Sequence, residues 1–177
     1  MNFKSSRRLP KAVRPEEWER LVKVIPKKDK IALISFLLAY GSGLRISEIV
    51  GSRNNKEIQP LTKESFRGNG IFIHGKYNVQ RTVPIPKGWR KSFEDLLPIK
   101  RTARTLEKKF KKYASLANLN HKYTFHSLRH GFATRAVESG IPINQVSLAL
   151  GHSDISTTSI YTKASPQDLL KSYEEKW

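Results

Sequence analysis

The chain contains no cysteine. That excludes a disulfide framework, a thiolate nucleophile and a Cys-based zinc site. Long apolar runs are missing as well. The longest, Ile31 to Ala39, is broken by Ser35 and is too short to cross a bilayer. Met1 to Arg8 holds no apolar h-region, so a secretory signal is not expected. The default compartment is then the cytoplasm, in association with the nucleoid. Acidic residues are scarce: 15 Asp and Glu stand against 33 Lys and Arg, a formal net charge of +18 over 177 residues. A folded domain with this excess repels itself, and a polyanionic partner relieves the repulsion. Nucleic acid is the first candidate, and an anionic membrane surface the second.

What is present suffices for a core. Hydrophobic residues make up 38% of the chain and aromatics 10%, which is not the composition of a disordered chain. Residues 1–14 are polar and basic and read as a flexible lead-in. Pro15, with Glu16 and Glu17 behind it, suits the first turn of a helix through Trp18, Leu21, Val22 and Ile25, stopped by Pro26. Asp29 can cap a second helix, which is apolar nearly all round from Ile31 to Leu38 and so belongs at the centre of the core. Residues 51–70 read as loops around a short strand. Residues 71–74 and 81–85 read as a hairpin with Gly75 to Asn78 as its turn, and Pro84 and Pro86 argue for an edge position or the strand's end. From residue 88 the pattern is helical. Helices are expected over 103–117, over His126 to Glu138 with Gly140 just beyond, from Pro142 to Leu150, over Ile155 to Tyr161, and from Ser165-Pro166 to Trp177. The fold class is mainly α with a small antiparallel β-sheet (α+β).

Several polar residues occupy unusual local settings. Arg45 follows Gly41-Ser42-Gly43-Leu44 at a loop-to-helix junction; it can face phosphate or simply pair with Glu48 at i+3. Lys76 lies at the hairpin tip, as a reactive lysine or an ordinary solvated one. His126 and Arg129 share a helix face. His126 and His130 have a metal-ligand spacing, but no Glu follows His126 and no Cys can complete a site. The alternative there is a capping histidine with a salt-bridged arginine. Tyr161 follows Leu150-Gly151-His152 by nine residues and is either chemical or a boundary aromatic. Lys100, Arg101, Arg104, Lys108, Lys109, Lys111 and Lys112 are relieved by only one acid, Glu107. They form a solvated helix face or a phosphate-contact surface, and the lopsided charge favours the second.

Taken together, two arginines, a lysine, two histidines and a tyrosine make a set suited to metal-free phosphoryl transfer. The transition state at a phosphodiester gathers charge on its non-bridging oxygens, which guanidiniums match in a two-pronged way while staying charged. A tyrosine can attack phosphorus, and a lysine or histidine can protonate the leaving oxygen. Free tyrosine titrates near 10, so only ~0.1% is phenolate at neutral pH; nearby cations lower that pKa.

At these residues the chain resembles the tyrosine recombinase and phage-type integrase family, in its Xer-like branch. The segment from Ala39 to Glu48 looks like the first-arginine box. Ile71 to Lys76, with Arg81 to Ile85 after it, looks like the lysine hairpin. His126-Ser127-Leu128-Arg129-His130 matches the second box, and Leu150 to Tyr161 the nucleophile segment. The resemblance implies a tyrosine recombinase catalytic-domain-like fold. It implies Tyr161 as nucleophile, forming a 3′-phosphotyrosyl bond, with Arg45, Arg129 and His152 on the non-bridging oxygens. Lys76 is then the general acid, His126 a phosphate ligand that helps proton transfer, and Glu48 and His130 supporting groups. No cofactor, metal or ATP is implied. The partners are double-stranded DNA and further copies of the chain: a tetramer on DNA when full length, a monomer when free.

The same resemblance divides the chain into a lead-in (1–14), a catalytic domain (15–163) and a C-terminal tail helix (164–177) that docks on a neighbouring protomer or on its own domain. The family's N-terminal core-binding domain is expected to be absent. The turn Tyr77-Asn78-Val79-Gln80 departs from the family's Gly-rich basic stretch. Competing readings are type IB topoisomerase-like relaxation, a catalytically silent DNA-binding regulator and a metal-dependent nuclease.

Overall fold

Helix α2 (Lys30–Ser42) is the element around which the rest is arranged. Its apolar residues run round the whole circumference, and Ala32 and every residue from Ile34 to Ser42 are buried, as expected of a central helix. A computed structural model describes residues 11–74, 80–151 and 166–177. The Asp29 carboxylate caps α2 by accepting from the Ala32 N–H at 3.4 Å. Gly43 ends the helix in the left-handed region (φ 69°), where a Cβ would stand 2.5 Å from the Phe132 ring. Both the turn and the close approach therefore require glycine there.

α1 (Pro15–Val24) precedes α2, and its Trp18 stacks on Tyr40 with ring centroids 4.3 Å apart. A short α3 (Ile46–Val50) follows. Strands β1 (Phe66–Arg67), β2 (Gly70–His74) and β3 (Gln80–Pro84) form an antiparallel sheet in the order β1-β2-β3, so β3 is an edge strand. The register pairs Ile71 with Val83 and Ile73 with Arg81. Ile71, Ile73 and Val83 are buried, and Arg81 shares their face. The Ser42 hydroxyl donates to the Pro84 carbonyl at 2.7 Å and ties α2 to β3.

Helices α4 (Ala103–Leu116), α5 (His126–Glu138), α6 (Ile143–Leu150) and α7 (Pro166–Lys176) complete the described chain. α5 packs along α2. Phe36 of α2 meets Phe110 of α4 and Phe125 edge-on, at 5.6 and 5.7 Å, the geometry favoured by ring quadrupoles. The helix expected over 155–161 lies outside the described residues.

Both ends of the described chain pack on the domain. Ala12 and Val13 are buried, and the Val13 N–H donates to the Ser127 carbonyl at 3.1 Å. That end of the lead-in is part of the fold, because Val13 supplies an apolar side chain and a backbone bond to α5. α7 docks on its own domain: Leu169 and Tyr173 are buried, and Tyr173 stacks on Phe132 at 5.5 Å. Arg135 is held between the rings of Tyr40 (3.9 Å) and Trp177 (4.1 Å), so a cation seals the packing of α7 on the core. Among the described residues no helix is long and apolar enough to cross a membrane.

Candidate active site

The C-terminal end of α6 gathers three arginines from three different elements. Arg81 Nε donates to the Ala149 carbonyl at 2.7 Å, Arg129 Nη2 to Leu150 at 2.6 Å and Arg45 Nη2 to Gly151 at 3.3 Å. These are successive carbonyls at the negative end of a helix dipole, where cations are favoured. Arg129 also donates from Nη1 to the Gly43 carbonyl at 2.6 Å. It is thereby fixed between the end of α2 and the end of α6.

One carboxylate ties two of the three, Arg81 and Arg45, together. Glu48 is 3% exposed and accepts four donors. Arg81 reaches it with Nη1 on Oε1 and Nη2 on Oε2, both at 2.9 Å. Arg45 reaches it with Nη1 on Oε1 at 3.1 Å and with its backbone N–H on Oε2 at 2.8 Å. Burial pushes the Glu48 carboxyl up, but the Arg81 and Arg45 interactions outweigh burial and hold it below the ordinary range. Arg45 thus pairs with Glu48, and its side chain stays 37% exposed. Arg129 is buried. Desolvation and the charge of Arg45 push its guanidinium down to about 9, which leaves it charged at neutral pH. An anion beside the two guanidiniums would relieve that strain.

α5 presents the rest. His126 opens the helix, exposed to solvent. With Leu44, Phe125, Arg104, Lys108 and Lys111 it borders a pocket of about 650 Å³. His130 lies one turn on, its ring 4.8 Å from that of His126 and nearly perpendicular to it. Burial, then the charge of Arg129, lowers the His130 pKa. Among the described residues no three His, Asp or Glu side chains cluster to hold a metal. Lys76, His152 and Tyr161 lie outside the described residues.

The basic run divides. Lys100, Arg101 and Arg104 border a second pocket of about 640 Å³ together with Arg53, and Arg104 is common to both pockets. Lys109 leaves that face: it pairs with Asp29, which also accepts from the Tyr113 hydroxyl at 2.6 Å. Lys111 donates to the His121 carbonyl at 2.8 Å, and Lys112 lies 5.9 Å over the Tyr113 ring.

Arg81 was not among the expected site residues, although one signal pointed to it. Strand alternation puts it on the same face as Val83, and a core-facing arginine demands an acid.

The phage integrase family matches residues 11–168 of the chain. The chain belongs to that family. Among curated relatives, tyrosine recombinase XerA of Pyrococcus furiosus is 35% identical over 197 residues, covering 98% of this chain and 64% of the relative. XerA of Thermococcus kodakarensis is 34% identical over 190 residues, covering 97% and 64%. This integrase-family chain thus spans about 64% of the length of these relatives. Its fold is that of an integrase from mycobacterium phage Brujita (TM-score 0.69, 22% identity, 98% of this chain and 60% of that one). It is also that of the XerH site-specific recombinase bound to its difH substrate before cleavage (TM-score 0.62, 22% identity, 98% and 56%).

Proposed function

We propose that this integrase-family chain carries the catalytic domain of a site-specific DNA recombinase, cleaving and rejoining strands without metal or ATP. The observation that carries the reading is the meeting of Arg45 and Arg129 at the end of α6, whose cap residue Gly151 immediately precedes His152 in the sequence. Two guanidiniums, Arg129 held by the Gly43 and Leu150 carbonyls and Arg45 by the Gly151 carbonyl and Glu48, are preorganised for the charge that builds on a phosphodiester's non-bridging oxygens.

In this reading the Tyr161 phenol gives its proton to water, with His126 assisting the transfer, and its oxygen attacks phosphorus. The bond to the 5′ oxygen breaks as the 3′-phosphotyrosyl bond forms, and Lys76 gives the leaving oxygen a proton. Arg45, Arg129 and His152 bear the developing charge, with His126 at the edge of the pocket. Religation reverses these steps, since the bond energy is kept in the phosphotyrosine. Double-stranded DNA is the partner. Its backbone runs past Arg104, Lys108 and Lys111 toward Lys100 and Arg101, and Lys109 serves Asp29 instead. Assembly of further copies on DNA belongs to the same proposal. Relaxation as an end in itself, metal-dependent cleavage and silent regulation have no observation in their favour.

The test is covalent capture. A pool of nicked duplexes with randomised cores is incubated with the protein in EDTA, and SDS-resistant adducts are counted. The reading expects adducts from the wild type and none from Tyr161→Phe. A wild type that forms no adduct, or adducts that persist in Tyr161→Phe, overturns it.

A further inference from the structure

Glu48 is chemically saturated. A carboxylate offers about four acceptor positions, and here all are taken: two by the Arg81 fork and two by Arg45. The partition is unequal. Arg81 is buried and makes both side-chain bonds at 2.9 Å, whereas Arg45 gives the carboxylate one guanidinium bond at 3.1 Å and remains partly exposed. Arg81 is also locked from behind by its Nε bond to Ala149. Its guanidinium fills the space beside Gly151, where a Cβ would stand 3.1 Å from Nη1. Gly151 has φ 60°, so close approach and backbone conformation both call for glycine there.

We propose that Arg81 is a positioning residue: it neutralises Glu48 and thereby leaves the Arg45 guanidinium free to engage a phosphate group. Among the described residues, a buried Glu48 carboxylate without Arg81 would have Arg45 as its one hydrogen-bonding cation. A buried charge takes whatever counter-ion is in reach, so the Arg45 fork would close onto Glu48 and lose its exposure to solvent. Arg129 also faces the carboxylate with its charge, but its bonds go to Gly43 and Leu150. The role is specific to arginine, because lysine cannot supply the two-pronged bond and the Ala149 bond together. As the assignment concerns the phosphate step, it rests on the recombinase reading for its biological meaning, though not for its test.

The probe is inorganic phosphate, followed through the Arg45 and Arg129 side-chain N–H resonances in the full chain. Thermal melting establishes that each variant is folded. Wild type should show both resonances moving. Arg81→Met should bind phosphate at least about tenfold more weakly, with the Arg45 response abolished, because the guanidinium is consumed by Glu48. The double variant Arg81→Met/Glu48→Gln removes the unpaired charge and keeps an acceptor for the Arg45 backbone; phosphate binding and the Arg45 response should return. In the nicked-duplex assay, Arg81→Met should form adducts on the order of a hundredfold more slowly, with the double variant partly restored. Equal phosphate affinity in wild type and a folded Arg81→Met overturns the assignment, and so does a folded double variant no better than the single. Should phosphate behave as described while wild type yields no adduct, the recombinase reading fails and the assignment of Arg81 stands.

Discussion

Arg45 and Arg129, 84 residues apart in the chain, donate to adjacent carbonyls, Gly151 and Leu150. Neither bond is local, so helix packing alone brings the two charges together. If that pair holds a phosphate through the transition state, each member is worth a preorganised donor. Arg129→Gln and Arg45→Gln should each slow adduct formation by about 10²–10³-fold. Single-turnover capture on the nicked duplex pool measures it; a tenfold effect or less would mean that the guanidiniums do not touch the reacting group.

The Glu48 carboxyl is depressed by Arg81 and Arg45 despite its burial. A carboxyl whose folded pKa is depressed contributes stability above its unfolded pKa, and that contribution disappears as pH falls through the folded value. Stability should therefore decline from about pH 4.3, the ordinary glutamate value, downward. Asp29 adds to the same limb, since Lys109, Tyr113 and the Ala32 N–H outweigh its desolvation. Urea unfolding across the acid range should show the decline, and Glu48→Gln should be less stable at neutral pH with a shallower acid slope.

His130 is held below the ordinary histidine value by burial and by Arg129. Proton NMR titration should place it under ~6.5. Removing the neighbouring charge in Arg129→Gln should move it upward without abolishing the shift, because burial is the larger cause. An unchanged His130 titration in that variant would contradict the geometry.

The basic run makes two opposite predictions for residues of one helix. Arg104 and Lys108 border the pocket that contains His126, so Arg104→Ala/Lys108→Ala should reduce the salt slope of DNA binding by roughly 0.9 for each phosphate that is no longer neutralised. Lys109→Ala should leave the slope unchanged and instead lower the melting temperature, since it strips the Asp29 carboxylate of its ion pair. Fluorescence anisotropy against salt concentration separates the two.

Much of the scaffold was legible because it obeys local rules. Gly140 marked the end of α5, Asp29 the start of α2, and Pro84 an edge strand; each acts through its own backbone chemistry. The boxes around Arg45 and Arg129 were legible as a pattern. What joins them was not. Arg81 looked like an ordinary strand residue until Glu48, 33 positions earlier, proved to lie beneath it. Lys109 matched its basic neighbours in sequence but faces the other way, because Asp29 lies across from that side of α4. The resemblance left open whether the tail helix docks on a neighbour or on its own domain. Only the packing of Phe132 and Arg135 identified its own domain as the surface.

The backbone bond from Val13 to Ser127 gives the amino-terminal approach to the domain a mechanical meaning. Ser127 lies between His126 and Arg129, so this amide anchors the approach to the very turn that bears those two side chains.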